Sequence, residues 1–294
     1  MNRREMLRVL GALPLATIAG WRREDGEMTA PDATTRSAPA RMPVIFAAHG
    51  APILLEDAVW MAQLHAWATA MPKPASILMV SAHWEARPTT LGATRTVPLV
   101  YDFSGFPERF SQTRYPAPGA PALAARVGDL LEERRIAFTS DPQRGLDHGA
   151  YVPLVAMYPG ADVPVLQISM PRLDARELFD LGRALAPLRD EGALIFGSGF
   201  LTHNMRFAFR PVTPAWARAF DDWAAGALSR LDFDALIDFQ ARAPAAQTAL
   251  PTWEHYAPLL VAAGAVADAR PPVTFPITGF WMDGAFTKRS VQFG

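Results

Sequence analysis

Apolar residues fall into short dense runs, and between the runs they recur every three or four positions. Pro43–Ala48 (PVIFAA), Ser76–Ala82 (SILMVSA), Val163–Ser169 (VPVLQIS) and Ala193–Gly197 (ALIFG) have the length and composition of strands buried on both faces. Asp57–Met71, Pro121–Arg135, Ala175–Leu188 and Pro214–Leu231 read as helices. The last carries Trp216, Phe220 and Trp223 at helical spacing, a stripe expected in the core rather than in a site. Strands alternating with helices predict an α/β fold: a single domain with a central, mostly parallel sheet flanked by helices on both faces.

The N-terminus departs from this pattern. Residues 1–21 begin with paired Arg3 and Arg4, continue through an apolar stretch and reach small residues at Ala16, Ala19 and Gly20. They read as a twin-arginine export signal, with a short amphipathic helix as the competing reading. The stretch is too short to span a membrane comfortably. Residues 22–40 are rich in Thr, Ala, Pro, Asp and Glu and read as a flexible tether, which leaves 41–294 as the folded domain. The expected location is periplasmic, or cytoplasmic if the segment is no signal.

Composition narrows the chemistry. Half of the 294 residues are hydrophobic, enough for a sizeable core. Formal net charge is −1 and no basic stripe stands out, so nucleic-acid binding has no electrostatic support. The 27 prolines point to long shaped loops. Cysteine is absent, so a metal site must be built from His, Asp and Glu, which suits zinc, iron(II) or manganese.

The six histidines carry the message. His49 directly follows PVIFAA, His83 follows SILMVSA, and His203 lies just beyond ALIFG. Three buried strands thus each deliver a histidine near the C-terminal end, the edge where sites assemble in open α/β sheets. Small residues surround them: Gly50 and Ala51, Ala82, and Gly197-Ser198-Gly199. His255 follows Glu254 in PTWEHYAPLL, where Pro251 and Thr252 look like a helix start. Neutral imidazole is the commonest metal ligand, and several at strand ends could enclose one ion. His148, in GLDHGAYVPL, reads as a substrate-binding or acid–base histidine, because no strong strand run precedes it. His65 sits inside a predicted helix without polar company and is assigned no function.

Other motifs are missing. There is no Walker loop, no G-x-G-x-x-G after a strand and no H-E-x-x-H; Gly197-Ser198-Gly199 is not a nucleophile elbow. Ser81 reads as a locally bonded strand-end serine.

The segments PVIFAAHGAP, SAHWEA, RYPAPG, GLDHGAYVPL, VLQISM, GSGFLTHNM, WEHYAPLL and KRSVQFG, in this order, resemble the class III extradiol ring-cleavage dioxygenases, in the DOPA 4,5-dioxygenase-like branch. The resemblance runs from about residue 43 to the end. It implies a mononuclear iron(II) site, with zinc able to take its place, that opens a catechol with O2. The ligands it implies fall on His49, His83, His203 and His255, with Glu254 a minor candidate; the additional active-site histidine falls on His148. His203 or His148 would serve as base, and Tyr115 and Trp84 would line the aromatic pocket. Ala51 stands where the family usually has serine. The implied partners are a small aromatic diol and O2, with no nucleic acid, no membrane after export, and a homo-oligomer allowed. Two other readings fit the same histidines: a zinc hydrolase using metal-bound hydroxide, and a non-catalytic binding protein of the same fold.

Overall fold

The apolar runs form strands and the periodic stretches form helices, in a computed structural model that describes residues 41–208 and 210–294. The segments expected to be an export signal (1–21) and a tether (22–40) lie outside the described residues. In chain order the elements are β1 (Val44–Ala48), α1 (Ala58–Ala70), β2 (Ser76–Glu85), β3 (Thr89–Leu91), α2 (Pro121–Glu133), β4 (Phe138–Ser140), α3 (His148–Met157), β5 (Val165–Met170), α4 (Ala175–Leu185) and β6 (Ala193–Gly199). After these come α5 (Ala215–Ser229), the short α6 (Phe233–Ile237), α7 (Phe239–Arg242) and α8 (Ala246–Ala249), then α9 (Ala257–Gly264), β7 (Val273–Ile277) and β8 (Ser290–Phe293).

One sheet takes the order β4-β3-β5-β2-β6-β1-β8-β7. Its centre, β5-β2-β6-β1, is parallel, while β8 joins β1, β7 joins β8 and β3 joins β5 antiparallel. The pleat sends alternate side chains to opposite faces. Val44, Phe46, Leu78, Val80 and Ile195 pack with α2, α4, α5 and α9; Ile45, Ala47, Ile77, Met79 and Phe196 pack with α1 and α3. Each such fully buried side chain contributes about 1.5–3 kcal/mol. This is the single α/β domain with a mostly parallel, doubly covered sheet that the pattern predicts. Register matters for function: Ala48 lies opposite Gly199 and Ser81 opposite Ser198, so β1, β6 and the part of β2 paired to β6 end nearly level, and β2 runs on irregularly to Glu85.

Element ends follow local chemistry. Asp57 caps α1 by accepting from the Trp60 N–H, and Asp174 caps α4 by accepting from Glu177. The α4 helix stops at Leu185, short of the expected Leu188, because Pro187 cannot donate to an α-helical ladder and the chain tightens to a 3-10 turn. Trp216, Phe220 and Trp223 pack against the core as their spacing predicts, and His65 is exposed. The expected helix start at Pro251 is displaced: α9 begins at Ala257, with Pro258 in its first turn, where a missing N–H costs least. Glu254 and His255 therefore sit in the turn before the helix. Among the described residues no helix is long and apolar enough to cross a membrane.

Candidate metal centre

His49 leaves β1 with its N–H donating to the Gly199 carbonyl at 3.2 Å, one rung beyond the strand. Gly50 then turns the chain at φ +69°, a conformation glycine adopts without strain. His83 lies within the irregular end of β2, which runs three residues past its expected end. His148 opens α3 behind the cap Asp147, whose carboxylate accepts from the Ala150 N–H (3.1 Å) and the Ser81 hydroxyl (2.7 Å). Ser81 is thus a donor to a helix cap. A Cβ on Gly149 would lie 2.4 Å from Ser81 Oγ, 2.8 Å from His83 Cδ2 and 3.2 Å from His49 Nδ1, so only glycine lets α3 come this close. The ligand atoms of His49, His83 and His148 lie within 4.8 Å of one another.

A second group of three stands beside the first. His203, on the loop after β6, is held by its N–H to the Ala249 carbonyl (2.9 Å). The Phe200 N–H donates to the His255 carbonyl at 2.8 Å. A Cβ on Gly199 would lie 2.0 Å from that same carbonyl, and one on Gly197 2.6 Å from the Pro258 carbonyl. The Gly-Ser-Gly segment is therefore what lets the turn before α9 rest on β6. His203, Glu254 and His255 also bring their ligand atoms within 4.8 Å. The His255 ring centroid is 5.2 Å from His49 and 4.9 Å from His83, so the two groups adjoin. His148, which the motif reading set apart from the ligands, falls in space among them.

The hydrogen bonds fix which nitrogens carry protons. Ser198 Oγ donates to the Gly149 carbonyl, so at 3.1 Å it accepts from His49 Nδ1 and leaves His49 Nε2 bare. His83 Nδ1 faces Asp102 Oδ2 at 3.2 Å, and His148 Nδ1 faces Asp102 Oδ1 at 2.8 Å. His255 Nδ1 faces Glu254 Oε1 at 2.9 Å, and His203 Nδ1 lies 3.7 Å from the same oxygen. For His49, His83, His148 and His255 the acceptor holds a proton on Nδ1 and turns the Nε2 lone pair to the other side of the ring; the Glu254 oxygen is too far from His203 to fix its tautomer. His49 and His83 thus point bare Nε2 atoms at each other 3.3 Å apart. Two facing lone pairs repel unless a cation lies with them.

Electrostatics agree. Burial first, then the neighbouring imidazoles, holds His49 and His255 well below the usual histidine range. Burial lowers His148 against the opposing pull of Asp102, and lowers His203 to about 4. Burial alone would raise the Asp102 carboxyl, but the hydrogen bonds from His148 and His83 outweigh it and keep it ionised. A buried set of neutral imidazoles braced by carboxylates is the donor set that divalent first-row metals take, so the residues fit such an ion.

Aromatic rings wall the site. Phe200 lies 5.3 Å from His49, Phe286 5.3 Å from His203 and Phe103 5.9 Å from His148. Trp84 and Tyr115, the expected pocket residues, are elsewhere engaged. Trp84 is buried beneath the Arg144 guanidinium, and the Tyr115 hydroxyl donates to the Tyr158 carbonyl at 3.0 Å. Sequence reasoning missed Asp102, Ser198 and the three phenylalanines. Only Asp102 left a trace, as a lone acid in the apolar run LVYDF.

Fold and site together fit the class of metal-dependent α/β enzymes, with a candidate centre of clustered histidines. A family described as the catalytic LigB subunit of aromatic ring-opening dioxygenase matches residues 44–287, and the chain belongs to that family. It is 41% identical over 231 residues to a 4,5-DOPA dioxygenase extradiol of Beta vulgaris, covering 76% of this chain and 86% of that protein. It is 38% identical over 263 residues to one of Escherichia coli K12, covering 86% and 95%. A crystal structure of an uncharacterized protein from Escherichia coli K12 superposes with a TM-score of 0.73 at 36% identity, covering 86% of this chain and 100% of that one. The protein is a metal-dependent, extradiol ring-cleaving dioxygenase of the DOPA branch.

Proposed function

We propose that the substrate is a DOPA-like catechol and that the resident metal in the active form is iron(II), with zinc able to occupy the same site. The observation that carries the reading is the pair of bare Nε2 atoms of His49 and His83, 3.3 Å apart beside His255 in a chain of the ring-opening family. His49, His83 and His255 would hold the ion. The His203 ring stacks on His255 at 3.5 Å and 14°, so their in-plane lone pairs run nearly parallel and do not converge on one point. That favours His203 as a base beside the metal over His203 as a ligand. When bound, iron(II) would supply a Lewis acid for the catechol oxygens and an electron path to O2.

The chain's residues would do the rest. His203, neutral above about pH 4, can accept a proton from a catechol hydroxyl at Nε2 while Glu254 faces its Nδ1. His148 stands across the site with its Nδ1 on Asp102, so its bare Nε2 is suited to accept a hydrogen bond from the second hydroxyl, while His203 can return the proton it took. Phe200, Phe286 and Phe103 would bracket an aromatic ring and exclude water. The Arg3-Arg4 segment supports export by the twin-arginine route, checked by locating the protein in periplasmic or cytoplasmic fractions of an expressing cell.

Oxygen consumption by anaerobically purified, iron(II)-reloaded protein tests the function, with DOPA and a panel of catechols. Uptake matched by a new visible absorbance from a ring-opened product is the expected result. No uptake with any catechol at full iron occupancy would overturn the substrate class.

A further inference from the structure

We propose that Asp102 is the positioning residue of the centre: its single carboxylate sets the tautomers of His83 and His148 together, so that both rings keep an unprotonated Nε2. The proposal rests on the metal-site reading above. Its two oxygens are divided. Oδ1 accepts from His148 twice, from the backbone N–H at 3.0 Å and from Nδ1 at 2.8 Å, while Oδ2 takes His83 Nδ1 at 3.2 Å. Among the described residues neither Nδ1 is bonded to another acceptor. An imidazole that donates from Nδ1 must offer a lone pair at Nε2, and an outer acceptor of this kind also raises the basicity of the inner nitrogen.

The loop that carries the carboxylate is fixed on either side of Asp102. The Val100 N–H donates to the Leu146 carbonyl at 2.9 Å, the Tyr101 hydroxyl to the Thr113 carbonyl at 2.6 Å, and the Phe103 ring stands edge-on to His148. A loop far from the strand ends in sequence thus arrives pinned on both sides of Asp102. It couples one ring on β2 to one on α3, so the two tautomers are set together.

Asparagine cannot replace this group, although it has the same shape. It offers one acceptor and one donor. The acceptor belongs with His148, which makes two contacts, and the amide NH2 then faces His83 Nδ1. His83 must switch tautomer to accept from it, which puts a proton on the Nε2 that should face the metal.

The test uses the full chain. Cobalt(II) titration of metal-free wild type, Asp102→Asn and Asp102→Glu reads affinity and, through the visible ligand-field bands, coordination. The Asn variant should keep the wild-type melting temperature within a few degrees, lose about 10–100-fold in cobalt affinity and show altered bands. Oxygen uptake after iron loading should show kcat falling by more than KM rises, and the Glu variant should recover part of both. Nitrogen-15 spectra of the metal-free wild type give a reading that needs no variant: His83 and His148 should both carry the proton on Nδ1. A wild type with either ring protonated at Nε2, or an Asn variant with unchanged affinity and bands, overturns the role of Asp102. A wild type that shows these tautomers but turns over no catechol would instead overturn the substrate reading alone.

Discussion

The two histidine groups reach the same site by different means. His49, His83 and His148 stand at the ends of regular elements, and the pairing of β1 and β2 with β6 brings the first two together. His203 and His255 stand on irregular backbone and depend on single bonds, His203 N–H to Ala249 and Phe200 N–H to the His255 carbonyl. The glycines differ in the same way. Gly149 makes room for side chains of the first group, whereas Gly199 makes room for a backbone carbonyl of the second. A ligand on a strand end inherits the rigidity of the sheet. His255 shares that rigidity, because its carbonyl rests on β6 at Gly199 and Phe200, whereas His203 stands on the loop beyond and can move with substrate, which suits a base better than an anchor.

The largest expected effect breaks the first group. His49→Ala and His83→Ala should each abolish bound metal, measured by elemental analysis of the purified variant, and turnover with it. Either variant retaining full metal would show that the strand-end histidines are not the ligands. In the second group, His203→Gln should keep metal near wild-type occupancy and lower kcat by about 10²- to 10⁴-fold. Loss of metal from that variant would make His203 a ligand beside His255 and erase the distinction between the mobile base and the anchored ligands.

A smaller effect is expected where the first group is only crowded. The added methyl of Gly149→Ala would lie 2.4 Å from Ser81 Oγ, 2.8 Å from His83 Cδ2 and 3.2 Å from His49 Nδ1, so these buried side chains, or α3 itself, must shift. Overpacking of this kind costs about 1–3 kcal/mol, read as a lower melting temperature, together with weakened metal binding.

The contrast also explains what the sequence made legible. The central strands and the helices α1, α2, α4 and α5 follow from apolar runs and helical spacing, because burial writes a period into them. His49 and His83 are legible for the same reason: each ends such a run. The α3 helix has no period to see, since nine of its ten residues are buried and Pro153 lies inside it. The strands β3 and β4 have three residues each, and the edge strand β7 contains Pro276, so none stands out as a strand. Asp102 and Ser198 are hidden differently. Their partners lie 46 and 149 positions away, a separation that only the folded topology closes.

Acid should act on both groups through one sign. Burial holds His203 at about 4 against an ordinary 6.5, and holds His49, His148 and His255 low as well. Above pH 6.5 these rings are neutral in the folded and unfolded chain alike, and they contribute no pH dependence. Below it the unfolded chain takes up protons that the folded metal-free protein refuses, so stability falls between about pH 6.5 and 4. Melting temperatures of the metal-free protein across this range check the window. A curve flat down to pH 4 would mean that the rings are already protonated or exposed.

The smallest effect separates the two carboxylates. Asp102 divides its oxygens between two rings, but Glu254 turns one oxygen, Oε1, to both His255 at 2.9 Å and His203 at 3.7 Å. In Glu254→Gln the amide oxygen can take the place of Oε1, so His255 keeps its proton on Nδ1 and its bare Nε2. Metal affinity should stay within a few-fold of wild type. What is lost is the negative charge, which counters the effect of burial on His203 and stabilises its protonated ring. His203 becomes a weaker base, and kcat should fall about tenfold, the equivalent of about 1.4 kcal/mol in the barrier. Oxygen uptake and cobalt titration on the one variant decide it. A large loss of cobalt affinity would mean that Glu254 is itself a ligand beside His255.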